Sequence, residues 1–294
     1  MRCRLILFVS SIAILGLGPS SRANPGHADS RPSVSAHDLL QKVVDNELAA
    51  DKNDQSLWMY KSETRKRGGD TTKEVIETKQ GDIARTLKIN GQPLSAEQEK
   101  KEKQRIQRLA SNPSDQRKAQ RAKAQDGQKA EQMLALLPKA LEVSYGQRRG
   151  DLVDLTFKPN PQFHPKSHEA EVFRAMAGDI WVNTKENRLE EINGRLIERV
   201  SFGGGLLGHL DKGGQFHVTQ TQAGPGHWEV AQTRIDMRGK ALFFKTVSVQ
   251  ENETRTDFQQ VPDGFTLVQA AQKLQQQNPQ ASAELTQGNA AAQR

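Results

Sequence analysis

The side chains best suited to chemistry in this chain are its histidines and carboxylates, and their spacing argues against most of what such groups do. His164 and His168 stand four apart, the separation that lets two imidazoles share a zinc ion on one face of a helix. Pro165 directly after His164 denies that stretch a regular helix, and no third histidine follows at ligand spacing. They read as loop histidines on a polar surface, and so do His209, His217 and His227, scattered over strands and turns. No metal site and no cofactor are expected. A Gly-x-Ser-x-Gly elbow for a nucleophilic serine is absent. Gly203-Gly204-Gly205, continuing as Leu206-Leu207-Gly208, lacks the Lys-Ser/Thr pair and the helix of a phosphate loop. Glycines at such a place allow a bulge or a sharp strand bend. Glu190 and Glu191 are adjacent, which on a strand sends them to opposite faces. With no catalytic constellation, the chain is not expected to be an enzyme.

The first twenty-three residues read as an address. Arg2 and Arg4 precede an apolar run from Leu5 to Gly18, and Ser21-Arg22-Ala23 ends in the small residues that a signal peptidase reads. The run is shorter than the about 20 residues needed to span a bilayer. Residues 1–23 are therefore expected to be a cleaved signal peptide, with the mature protein soluble and periplasmic or secreted. The single cysteine, Cys3, precedes the apolar run, so it is neither a lipoprotein cysteine nor a disulfide partner in the mature chain. Removing Arg2, Arg4 and Arg22 lowers the formal charge from +7 to +4. That is modest for a nucleic-acid binder, and no nucleic-acid partner is expected. No later apolar run reaches membrane-spanning length.

The elements that would position a site follow from periodicity. Residues 24–34, rich in Pro, Gly and Ser, read as a disordered leader. Ser35 can cap a helix in which Leu39, Leu40, Val43, Val44 and Leu48 share a face. Gln55 to Arg67 alternates, with Trp58 and Tyr60 on one side and Leu57 and Met59 on the other; Thr72 to Gln80 and Ile83 to Ile89 complete a three-stranded meander. From Ser95, a second cap, to about Pro138 the chain is Lys, Arg, Gln, Glu and Ala with sparse apolar positions. A helix polar almost all round is not core, so this insert is expected as a helical arm joined to the body at its more apolar ends.

Strand patterns resume at Glu142–Tyr145 and Leu152–Phe157, where Val153, Leu155 and Phe157 alternate with Asp154 and Thr156. A short helix is possible at His168–Met176, and strands follow over 180–183, 188–202, 215–221, 227–236 and 241–256. Arg238-Gly239-Lys240 is expected to be the last turn. Short connections make neighbouring strands antiparallel. Residues 261–294 are Gln and Ala rich, and from Ala270 they suit a frayed helix or plain disorder. Hydrophobic residues make up only 35% of the chain, so part of its length lies outside packed core.

These parts define one domain over residues 35–260, mainly β with α. It is expected as a strongly curved antiparallel meander forming an unclosed half-barrel, with an N-terminal helix and a polar helical insert at 95–138. Such a sheet covers its concave side or offers it to a ligand. Trp58, Leu87, Phe157, Trp181, Phe216 and Phe243 are the candidate lining residues, ordinary core packing being the other role open to each.

The order of parts resembles the bacterial lipoprotein-localisation superfamily, the LolA/LolB/RseB-like proteins. The likeness rests on Met176-Ala177-Gly178-Asp179-Ile180-Trp181-Val182, followed by Arg188-Leu189 and Ile192-Asn193-Gly194, and on Ala241-Leu242-Phe243-Phe244-Lys245 before Val247 and Val249. It would cover residues 35 to 258. The resemblance implies a half-barrel with helices against its concave face, enclosing a cavity for acyl chains. It also implies a non-enzymatic carrier or sensor of lipid or lipidated protein. Arg85, among apolar neighbours, is the candidate for the carrier's strand arginine, which no motif in this sequence places. The insert from Ser95 is longer and more charged than the carrier's. A second reading follows from that departure: an envelope protein-interaction module that docks a protein partner on the charged insert.

Overall fold

In a computed structural model of the chain, residues 34–241 and 245–276 are described. The expected signal peptide, the leader up to residue 33, Phe243 and the end of the Gln/Ala-rich tail lie outside them. The helices are α1 (Ala36–Asn53), α2 (Ala96–Ser111), α3 (Pro113–Ala140) and α4 (Leu267–Gln276), with 3-10 turns at Glu169–Ala175 and Gly203–Gly205. The strands begin with β1 (Trp58–Lys66), β2 (Thr71–Ile76), β3 (Ile83–Ile89) and β4 (Gln92–Pro93). After the helical insert come β5 (Leu141–Arg149), β6 (Leu152–Pro159), β7 (Met176–Asn183) and β8 (Arg188–Leu196). The last are β9 (Val200–Phe202), β10 (Gly208–Leu210), β11 (Gln215–Gly224), β12 (His227–Ala241) and β13 (Lys245–Gln260).

The strands form one antiparallel sheet in the order β4-β3-β2-β1-β13-β12-β11-β8-β7-β6-β5, not closed into a barrel. The expected class, mainly β with an N-terminal helix and a helical insert, is the one observed. No helix among the described residues is long and apolar enough to cross a membrane. The chain divides into two compact units: residues 34–54, 126–222, 228–241 and 245–252 form the first, and residues 55–125, 223–227 and 253–276 the second.

In the first unit, period-two alternation gives the sheet one apolar face. Val153, Leu155 and Phe157 of β6, Ile180 and Val182 of β7, Ile192 of β8, and Phe216 and Val218 of β11 join one buried cluster with the apolar stripes of α1 and the end of α3. Ser35 caps α1, its hydroxyl accepting from the Asp38 N–H at 3.1 Å. Leu39, Leu40, Val43 and Val44 then recur at helical spacing and are buried, each worth about 1.5–3 kcal/mol. Glu47, on the same helix, is buried against Arg188, which donates through Nε at 2.7 Å and a second nitrogen at 3.0 Å; the Leu189 N–H adds a third bond. The Arg188 guanidinium in turn lies 5.7 Å from the Trp228 ring centre.

In the second unit both faces of β1 are covered. Leu57 and Met59 pack with Ile76, Ile83, Ile106 of α2 and Leu267, Ala270, Ala271 and Leu274 of α4. Trp58 and Tyr60 pack with Val75 and Phe258 on the other side. The insert carries the expected cap at Ser95, completed by Gln98 into a capping box.

The structure differs from the sequence expectation in three places. The insert is not solely an arm, for Ile106 is fully buried, and Ala130, Leu134 and Leu137 join the first unit's core. Three residues at helical spacing are enough to seat α3, which is otherwise polar over much of its length. The tail's opening stretch is not frayed either: α4 buries Leu267, Ala270, Ala271 and Leu274, and the Gln residues between them face out. Arg238-Gly239-Lys240 is strand rather than turn. There β10 pairs with β12, Leu210 opposite Gly239, and a side chain at Gly239 would strike the His209 carbonyl. Close strand approach needs that glycine, which the sequence presents only as a turn residue.

Candidate functional site

Because β6, β7, β8 and β11 turn their apolar residues to the helices, their alternate residues meet on the opposite face. Directly opposed residues of antiparallel strands share a face, and this orders the polar ones into rows. Thr156, Asp179, Asn193 and His217 are directly opposed across the four strands. The adjacent row is Asp154, Trp181, Glu191 and Thr219. A cleft of about 770 Å³ opens over this face; Asp154, Thr156, Asp179, Asn193, Arg195 and His217 line it, joined by Arg234 and Asp236 of β12.

Two β-bulges build the acidic part of the cleft. Between β5 and β6 the register shifts from Tyr145–Leu155 to Arg148–Val153, so Gly146 and Gln147 together face Asp154. The backbone N–H of Gln147 donates to the Asp154 carboxylate. A Cβ at Gly146 would overlap Asp154 Oδ2, so only glycine leaves the carboxylate its place. Between β7 and β8 the register shifts between Trp181 and Val182, leaving Glu190 unpaired and setting Asp179 opposite Asn193.

Asn193 then ties the carboxylates together. Its Nδ2 donates to Asp179 Oδ2 and to Glu191 Oε1, both at 2.8 Å. His217 Nε2 stands 3.2 Å from Glu191 Oε1, within ion-pair reach but off the hydrogen-bonding direction. The Thr156 hydroxyl donates to Asp154 Oδ2 at 3.4 Å. Asp154 is 8% exposed, and its Oδ1 has no partner among the described residues. Burial, and then the nearby Asp179 carboxylate, push the Asp154 carboxyl above its ordinary range; the Gln147 N–H, Thr156 and Arg149 act the other way. Arg149 itself stacks on Trp181, 4.2 Å from the ring centre.

The residues expected to line a ligand cavity separate into two groups. Phe157 and Phe216 come together in the first unit. Both belong to its core and both line the cleft, beside Gly178 and Gly194, where a side chain would run into their rings. Trp181 is buried on the polar face, directly opposite Asp154. Trp58, Arg85 and Leu87 belong to the second unit. Trp58 is buried there and donates from its indole to Ser56 at 2.9 Å. Arg85 is 1% exposed and is bound by helices rather than open to a ligand: it pairs with Glu99 of α2 at 3.0 Å and donates to the Leu274 carbonyl of α4 at 2.7 Å. Leu87 is half-buried on β3.

No site role was expected of Asp179, Asn193 or Arg195, and His217 was expected to be a surface histidine. Period-two alternation was the signal that places them on one face. Among the described residues no group of three or more His, Cys, Asp or Glu side chains is arranged to hold a metal ion. No protein-family model and no curated protein matches the chain.

Proposed function

We propose that this chain is an exported, non-enzymatic binding protein, a carrier or sensor, that takes its ligand in the cleft on the polar face of the first unit. The observation that carries the reading is the cleft itself. Its size falls within the range of about 300–1,000 Å³ usual for ligand sites, and polar groups from neighbouring strands converge on it. The lining supports binding over catalysis. Thr156, the hydroxyl residue among its described lining residues, donates to Asp154 and to no histidine, so a nucleophile–base pair is not assembled.

The export pattern of residues 2–23 supports a site in the periplasm or outside the cell. A lipid or lipidated protein, the ligand class implied by the resemblance, would meet this cleft with its polar end, because Asp154, Asp179, Arg195, Arg234 and Asp236 line it. Native mass spectrometry of the protein purified without detergent, with solvent extraction of the same sample, tests the reading. A bound molecule is expected, and Ala177→Trp, which fills the cleft from β7, is expected to release it. Unchanged loading of that variant rules the cleft out.

A further inference from the structure

Three carboxylates, Asp154, Asp179 and Asp236, and two guanidinium groups, Arg195 and Arg234, line the cleft. Asp179 shares the Asn193 amide with Glu191, which also faces His217, while Asp154 takes the Gln147 N–H and the Thr156 hydroxyl. Asp154, more than nine-tenths buried, lines the cleft with one oxygen still without a partner. A buried carboxylate oxygen without a donor gains most from a ligand that brings an N–H group of its own.

Arg195 and Arg234 both line the cleft, and among the described residues neither has an ion-pair or hydrogen-bond partner. Arg195 sits opposite Ala177 and Gln215, small or neutral neighbours that leave its guanidinium to the cleft. It lies two residues along β8 from Asn193, about 7 Å at the usual rise per residue of a strand. A guanidinium fork suits a phosphate or carboxylate, and the carboxylates one repeat away suit an ammonium.

We infer that the ligand of this cleft is a zwitterion: a primary ammonium group seated on Asp179 and Asp154, and a phosphate-type anion seated on Arg195 and Arg234. The inference rests on the cleft being the binding site. It names a chemistry that a free amino-phosphate and an aminophospholipid headgroup share.

Calorimetric titration of the full chain with O-phosphoethanolamine, ethanolamine and inorganic phosphate tests it. O-phosphoethanolamine is expected to bind at least tenfold more tightly than either half alone. Arg195→Gln with Arg234→Gln, both exposed positions, is expected to lower that affinity at least tenfold, and Asp179→Asn to do the same from the other end. Equal affinities for the zwitterion and one of its halves, or no saturable binding of it, overturn the inference. If a copurified molecule leaves Ala177→Trp but lacks an ammonium group, the zwitterion fails and the cleft stands. If O-phosphoethanolamine binds Ala177→Trp as well as the parent, the cleft fails too. Flotation with phosphatidylethanolamine vesicles, against phosphatidylcholine vesicles whose quaternary nitrogen donates no hydrogen bond, separates the sources. Binding to the first alone assigns the headgroup, and binding of only the free compound assigns a soluble zwitterion.

Discussion

Asp154 keeps one carboxylate oxygen without a partner in a site that is otherwise carefully supplied with donors. A buried acceptor left in that condition costs about 1–3 kcal/mol. Since its folded pKa is raised above the unfolded value of about 3.9, the native state holds the Asp154 proton more tightly than the unfolded chain does. Its contribution is therefore full below about pH 4 and is lost as pH rises through the folded pKa. Asp154→Asn keeps the Gln147 bond and cannot ionise. The variant is expected to gain on the parent in thermal unfolding as pH is raised from 3 to 7; a margin that does not change with pH would count against the assignment.

Gly146 gives the complementary test. Gly146→Ala is expected to cost about 1–3 kcal/mol by overpacking the carboxylate. In an Asp154→Ala background that penalty should shrink to less than half, a coupling that denaturant unfolding of the four proteins measures. At this scale the alternation of Asp154 and Thr156 with Val153, Leu155 and Phe157 was legible. The pairing was not. Counted back from Asn183–Arg188, Asp179 falls opposite apolar Ile192; the extra residue at Glu190 brings Asn193 there instead. A bulge has no sequence signature of its own, so the row of polar partners stays hidden until the strands are paired.

At the scale of the element, α1 was readable from Ser35 to its apolar stripe because a cap and a 3.6-residue period are local properties. Besides that stripe, α1 meets its sheet through the buried Glu47–Arg188 pair, 141 residues apart. Removing one partner of such a pair leaves an uncompensated charge, so Arg188→Ala is expected to cost about 3–5 kcal/mol in urea unfolding. The double change Glu47→Met with Arg188→Met, which leaves no orphaned charge, should recover most of that loss. Methionine at both sites faring worse than Arg188→Ala alone would show that the pair contributes more than it costs to bury. The helical insert taught a different lesson. Its composition announced exposure, yet Ile106 and Leu134 are core. An average over many polar residues conceals a few apolar ones at the right spacing.

Across the whole chain, the last helix shows how far a residue's role depends on distant partners. The Gln/Ala-rich tail gave no sign of belonging to a core, but α4 covers Leu57 and Ile83 and offers the Leu274 carbonyl to Arg85. Ending the chain after Thr266 would expose the contacts of Leu267 and Leu274. It is expected to lose about 4 kcal/mol or more of stability from those two leucines. Hydrogen exchange of β1 to β3 reads this out, and unchanged protection there would contradict the packing role of α4.

By itself the sequence determined the elements: an N-terminal helix, antiparallel strands on both sides of a polar helical insert, and an open sheet mainly of meander connections. Caps, turns and the two periodicities act over a few residues, so they can be read from the chain alone. Only the tertiary structure decided that Arg238–Lys240 is strand, that Arg85 is clamped by two helices, and that Asp154, Asp179, Asn193, Arg195 and His217 line one cleft. Each of these depends on which strand pairs with which, and in what register. That choice is made by packing residues far apart in the chain against one another, with the bulges deciding which polar residue stands beside which.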